Sequence, residues 1–235
     1  MNAHSSEQQA KPVGGIVFFL SLLVLCFLSV FNLTVLPGLF KWERVMFKNW
    51  LFFLVGVAVG TLLAHLFIRG TPAVFIHELK HMIISNLAGN KIAGLPIYQR
   101  KSGKFAYKYS PQTAPYNAFI ALAPYILPLN TIAILLAALP FFFANHNWLC
   151  ITVGFGYGTD MALNLRDISP LQSDITFIRG GYKVGLLYII AMNITIFTII
   201  AAWVCADVQG LAYLLQKLWT WGLSLAGISQ AMSNI

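Results

Sequence analysis

Charge is scarce in this chain. Only 9% of its 235 residues are Asp, Glu, Lys or Arg, against roughly a quarter in an ordinary soluble domain, while 58% are hydrophobic. Water is therefore not its main solvent. The fifteen Lys and Arg against seven Asp and Glu leave a net charge of +8. These cations are scattered among short connections and form no basic face interleaved with aromatics, which excludes a nucleic-acid partner and leaves orientation in a bilayer as their role. Cysteine is nearly absent as well. Cys26, Cys150 and Cys205 each lie in an apolar run, without a C-x-x-C pair or an even-numbered framework, so neither a disulfide scaffold nor a cysteine-based zinc site is expected, and the three read as small buried hydrophobes. No internal repeat and no low-complexity linker is present. The first apolar run also lacks an A-x-A-like exit, so it is expected to be a retained span and not a cleaved signal peptide.

What remains is long apolar runs. A span needs about 20 mostly apolar residues, and runs near 13–36, 50–68, 72–89, 113–140, 147–164 and 183–206 meet that length. The fold class expected is an all-α integral membrane bundle of about six transmembrane helices, because an open sheet cannot satisfy its edges in lipid. A polar tail, 1–12, precedes a single multi-pass domain, 13–208. The stretch 209–235 holds an interfacial helix and tail, with Trp219 and Trp221 as headgroup-level anchors. If the amino terminus is outside, the Lys- and Arg-bearing connections fall inside and the connection 141–147, which has neither, falls outside, as the positive-inside rule expects. That count puts His77 toward the outer end of its span and the region of Asp174 inside, so one segment has to re-enter.

Three local patterns carry structure. Gly56 and Gly60 form a small-x-x-x-small pair that admits a neighbouring helix at close range. Pro124 and Pro128 break the run that starts at 113. In 91–109, Ile92, Leu95 and Ile97, then Phe105, Tyr107 and Tyr109, alternate with polar residues around Lys101-Ser102-Gly103-Lys104, the pattern of a small β-hairpin. Ile97, Phe105 and Tyr107 are then candidate substrate-binding positions on an edge to which an extended peptide could add as a strand.

The chemistry concentrates in His77-Glu78-Leu79-Lys80-His81. Residues four apart share a helix face, so His77 and His81 can bind one zinc ion through their imidazoles while Glu78 reaches the water bound to it. Zinc brings the pKa of that water toward about 7; the Glu78 carboxylate accepts its proton as general base and returns it to the leaving amine. Ionisable residues inside a membrane segment point to function by default. Lys80 is a cation beside a zinc ligand and opposes metal binding unless its long stem carries the ammonium away toward the interface. Two imidazoles leave zinc short of a protein ligand. Asp174 is the first candidate for the third, with Asp160 and Asp167 as alternatives, although Asp174 could equally cap a helix and Asp167 could pair with Arg166. Asn164 is a candidate for orienting a substrate backbone or stabilising an oxyanion, or else an ordinary helix terminator.

These residues resemble the site-2 protease type of intramembrane zinc metalloproteases, in particular its small bacterial members. The likeness covers about 70–185 and rests on Phe75-Ile76-His77-Glu78-Leu79-Lys80-His81 with Gly89 after it, on the hairpin region, on Ala121-Leu122-Ala123-Pro124 and on Ser173-Asp174. It implies that His77, His81 and Asp174 bind zinc and that Glu78 is the base. The substrate implied is a transmembrane or membrane-associated peptide cut within the bilayer, and the location a bacterial cytoplasmic membrane. Better-known members carry Asn-x-x-Pro-x-x-x-Leu-Asp-Gly around the third ligand; here Asn164, Pro170 and Asp174 stand at other spacings without a following Gly, and Lys80 stands where Gly is common. The alternatives are a catalytically inactive zinc-site scaffold or regulator, and a small metal or proton transporter. A hydrolase needs Glu78 as a base, whereas these two do not.

Overall fold

A computed structural model describes residues 15–41, 47–94, 106–108, 117–142 and 145–225. Eight helices and two short strands follow in order: α1 (Gly15–Phe40), α2 (Phe47–Phe67), α3 (Thr71–Leu87), β1 (Lys91–Gly94), β2 (Ala106–Lys108), α4 (Asn117–Ile126), α5 (Leu129–Phe142), α6 (His146–Asp167), α7 (Ser173–Thr176) and α8 (Gly181–Leu225). Helix dominates, as a mostly apolar chain requires where water cannot satisfy the backbone.

The expected count of six spans is not met. Among the described residues three helices are long and apolar enough to cross a membrane, α1 over Phe18–Phe40, α2, and α8 over Gly181–Ser224; the broken pair α4 and α5 makes a fourth if it counts as one span. The runs 72–89 and 147–164 form helices that are not among these. The first, α3, carries His77, Glu78, Lys80 and His81, and the second, α6, carries eight polar or charged side chains and three glycines. Apolar runs alone do not separate a lipid-facing helix from one that buries polar groups against protein. The lipid-facing character of α1 and α2 is plain, with Leu23, Leu33, Leu54 and Leu62 all more than half exposed.

The described residues gather into two compact units. The first comprises the start of α1, α3, the strand pair, α4, the end of α6, α7 and the start of α8. In it α3 packs on α4, and α4 touches α7. Strands β1 and β2 pair antiparallel, Lys91 opposite Lys108 and Ile92 opposite Tyr107, with an irregularity between Ile92 and Gly94. The segment that would join them as a hairpin, including Ile97 and Phe105, lies outside the described residues, and of Tyr107 only the backbone is described.

The second unit holds most of α1, α2, α5, most of α6 and the longer part of α8. Its tightest seam lies between α2 and α6. A Cβ at Gly56 or Gly60 would run into the carbonyls of Ile151 and Phe155, and one at Gly154 or Gly158 into those of Phe53 and Val57. The expected close approach at Gly56 and Gly60 is therefore present, with glycines on both sides of it. Asp160 of α6 accepts from the amides and side chains of Asn130 and Thr131, satisfying donors at the start of α5. Helix α8 kinks at Ala206 and Asp207, where Asp207 has φ 54°, between the expected span ending at 206 and the expected terminal helix from 209. Trp219 is 70% exposed. Trp221 instead packs edge-on against Phe31 of α1 at 5.7 Å, which replaces its expected anchor role by packing.

Candidate metal centre

Helix α3 is a well-bounded rod. Pro72 sits in its first turn, where a missing N–H is harmless. Its end is a Schellman turn: the amide of Asn90 donates to Ser85, that of Gly89 to Asn86, and Gly89 takes φ 82° as the αL position requires. Between these stops the His77 and His81 rings stand one above the other, 5.1 Å apart, as a four-residue spacing dictates.

Asp174 arrives from α7 to face both rings. Its Oδ2 lies 3.3 Å from His77 Nε2 and 3.5 Å from His81 Nε2. One ligand atom from each of the three residues lies within 4.8 Å of the others, which makes them a group able to hold a metal ion. Zinc at about 2.0–2.2 Å from N and O ligands in a tetrahedron sets neighbouring ligand atoms about 3.3–3.6 Å apart, and both distances from Asp174 fall in that interval.

The far side of each ring decides what faces Asp174. His81 Nδ1 lies 2.7 Å from the carbonyl of Ile120; a carbonyl only accepts, so Nδ1 carries the proton and donates. His77 Nδ1 lies 3.5 Å from Oδ2 of Asp167, again an acceptor. In the neutral imidazoles both Nε2 atoms then present lone pairs to a carboxylate oxygen. Acceptors so placed repel one another unless a cation or an added proton lies among them. The donor set, two imidazole nitrogens and one carboxylate oxygen with each imidazole approached from behind by an acceptor, is one able to hold a metal ion.

Asp174 and Asp167 are both held ionised. Burial pushes the Asp174 carboxyl up; where the facing imidazoles carry the added proton, their hydrogen bonds and charge outweigh burial and hold the group well below the usual carboxylate range. Asp167 is likewise pushed up by burial, and its bonds to His77 and Arg166 bring it below its ordinary value. The alternatives for the third ligand thus separate in space. Asp174 belongs to the ligand group, Asp167 stands behind His77 with Arg166 at its other oxygen, and Asp160 caps α5.

No family model, no curated protein and no solved structure matches this chain. Function has to be read from side-chain geometry.

Glu78 is buried, 8% exposed, within electrostatic reach of His77 and Tyr125. Tyr125 sets its ring edge against His77, 5.6 Å between centroids. Lys80 departs from expectation. It does not run to an interface but is 1% exposed, its ammonium donating to the carbonyl of Pro124 at 3.2 Å and to Oδ1 of Asn164 at 3.1 Å. Asn164 in turn donates through Nδ2 to the carbonyl of Tyr125 at 3.0 Å. Both ends of the Asn164 amide are engaged with protein, in a buried bridge. The outer positions of Asp167 and Tyr125 had no periodic signal in the sequence, since each is set by a contact between distant segments.

Proposed function

We propose that this chain is an intramembrane zinc metalloprotease, cutting a peptide bond in a membrane-anchored protein or peptide. The observation that carries the reading is Asp174 Oδ2 standing 3.3 and 3.5 Å from the two Nε2 atoms of a His-Glu-x-x-His helix. His77, His81 and Asp174 are the ligands proposed. Zinc at that position would supply Lewis acidity toward the scissile carbonyl and toward the attacking water. Glu78 takes a proton from that water as the new C–O bond forms, then delivers a proton to the amine nitrogen as the C–N bond breaks, so one water is consumed and an acid and an amine are released. Asp167 and the Ile120 carbonyl hold the two imidazoles with their Nε2 atoms turned inward. The resemblance to the site-2 protease type supports the same assignment. We assign the β1 and β2 pair to binding of an unwound substrate segment, with Ile97 and Phe105 of the intervening sequence as candidate contact positions, and place the protein in a bacterial cytoplasmic membrane.

The test uses the full chain purified in detergent. Wild type should hold about one zinc per chain and His77→Ala and Asp174→Ala should lose it. Glu78→Gln should keep zinc while cleavage of a co-expressed membrane-anchored reporter falls by about 10²-fold or more. A wild type without zinc under metal-replete conditions overturns the proposal.

A further inference from the structure

Pro124, inside α4, and Pro128, just beyond its end, stand four residues apart. In an α-helix the amide of residue i donates to the carbonyl of i−4. Pro124 has no amide hydrogen, so the turn that would close on Ile120 stays open, and the proline ring also crowds that carbonyl outward. The residue four beyond Pro124 is Pro128, which leaves the carbonyl of Pro124 open in the same way. A buried carbonyl left without a donor is costly, so such a group is normally met by some other donor. Both open carbonyls are met by neighbouring residues of α3: His81 Nδ1 donates to Ile120 at 2.7 Å and Lys80 Nζ to Pro124 at 3.2 Å. The next carbonyl, that of Tyr125, is taken by Asn164.

We propose that Pro124 is a positioning residue of the metal centre, opening the Ile120 carbonyl so that it fixes the His81 ring with Nε2 turned toward Asp174, while the same device one turn later anchors the Lys80 ammonium away from the ligands. The step from ring position to metal affinity rests on the metalloprotease reading; the hydrogen bond itself does not. A proline that served only to bend α4 would leave the His81 proton free to sit on either nitrogen. Here the carbonyl selects Nδ1. Loss of such an outer hydrogen bond weakens metal binding by about 10–100-fold.

The experiment has two readouts on full-length protein in detergent, the imidazole nitrogen signals of ¹⁵N-histidine-labelled, metal-free protein and zinc affinity by chelator competition. Pro124→Ala restores an amide that competes for Ile120. It should spread the neutral His81 ring over both tautomers and weaken zinc binding by about 10–100-fold, while Pro140→Ala, a helical proline of α5, changes neither. Pro124→Gly restores the same amide and serves where the alanine variant does not fold. The proposal is overturned if wild-type His81 carries its proton on Nε2, or if a folded Pro124 variant keeps both the wild-type tautomer and zinc affinity within about two-fold. Should wild type bind no zinc, the protease reading falls, and the tautomer comparison still decides the role of Pro124.

Discussion

Replacing Asp167 by Asn distinguishes a ligand from a residue that holds one. Asp167 presents Oδ2 to His77 Nδ1 at 3.5 Å and Oδ1 to Arg166 at 3.4 Å, with its side chain 27% exposed. The substitution keeps the shape and one acceptor oxygen but removes the charge that favours a proton on Nδ1. Outer carboxylates behind ligating histidines change metal affinity by about 10–100-fold when lost, or about 1.4–2.8 kcal/mol. The long contact, the partial exposure and the oxygen retained by Asn all place Asp167→Asn near the lower end, about 10-fold. Asp174→Ala removes a ligand and should leave no measurable binding at the same zinc concentrations. Chelator competition at fixed pH measures both. Complete loss in Asp167→Asn would make Asp167 a ligand, and unchanged affinity would mean that His77 is not held from behind; either result refutes the arrangement described.

Three further outcomes follow from the same contacts. Lys80→Met removes the donor shared by Pro124 and Asn164, and should lower unfolding stability by about 1–3 kcal/mol in a denaturant titration, with stability unchanged counting against the buried bridge. Gly56→Val forces a side chain into the carbonyl of Ile151 across the α2 and α6 seam, and should destabilise by at least about 1–3 kcal/mol, whereas Leu54→Val, at a position 55% exposed, should be near neutral. Because the folded Asp174 carboxyl lies below its unfolded value, its ionised form contributes stability that is present above about pH 4 and lost as pH falls through the folded value. The melting temperature of metal-free protein should accordingly drop on acidification below about pH 4, and Asp174→Asn should flatten that limb.

The helix bearing His77, Glu78 and His81 was legible because a four-residue spacing is a property of one helix and needs no knowledge of its neighbours. Asp174 was legible as one of few acids in an acid-poor chain, but its distinction from Asp167 and Asp160 depends on contacts spanning 30 to 97 positions, which periodicity does not encode. Pro124 and Pro128 announced a break in the run; that the carbonyls they open receive Lys80 and His81 needed α3 beside α4. The buried position of the Lys80 ammonium was hidden for the same reason. A long cationic stem runs to water by default, unless burial is matched by acceptors, and the matching acceptors here belong to another helix. The span count failed for a related reason: α3 and α6 are apolar enough to resemble spans, yet Lys80, Asp160 and Asn164 on them are met by groups of other helices.

The seam between α2 and α6 has a mechanical consequence. Ordinary helices meet through interdigitated side chains, whose rotamers can shift to absorb a displacement. At Gly56, Gly60, Gly154 and Gly158 one backbone rests directly on the other, and no rotamer lies between them to adjust. Along these turns a push on either helix is passed to its neighbour undiminished. Any slack this second unit has must therefore come from elsewhere in it, with the break in α8 at Ala206 and Asp207 the first place to look.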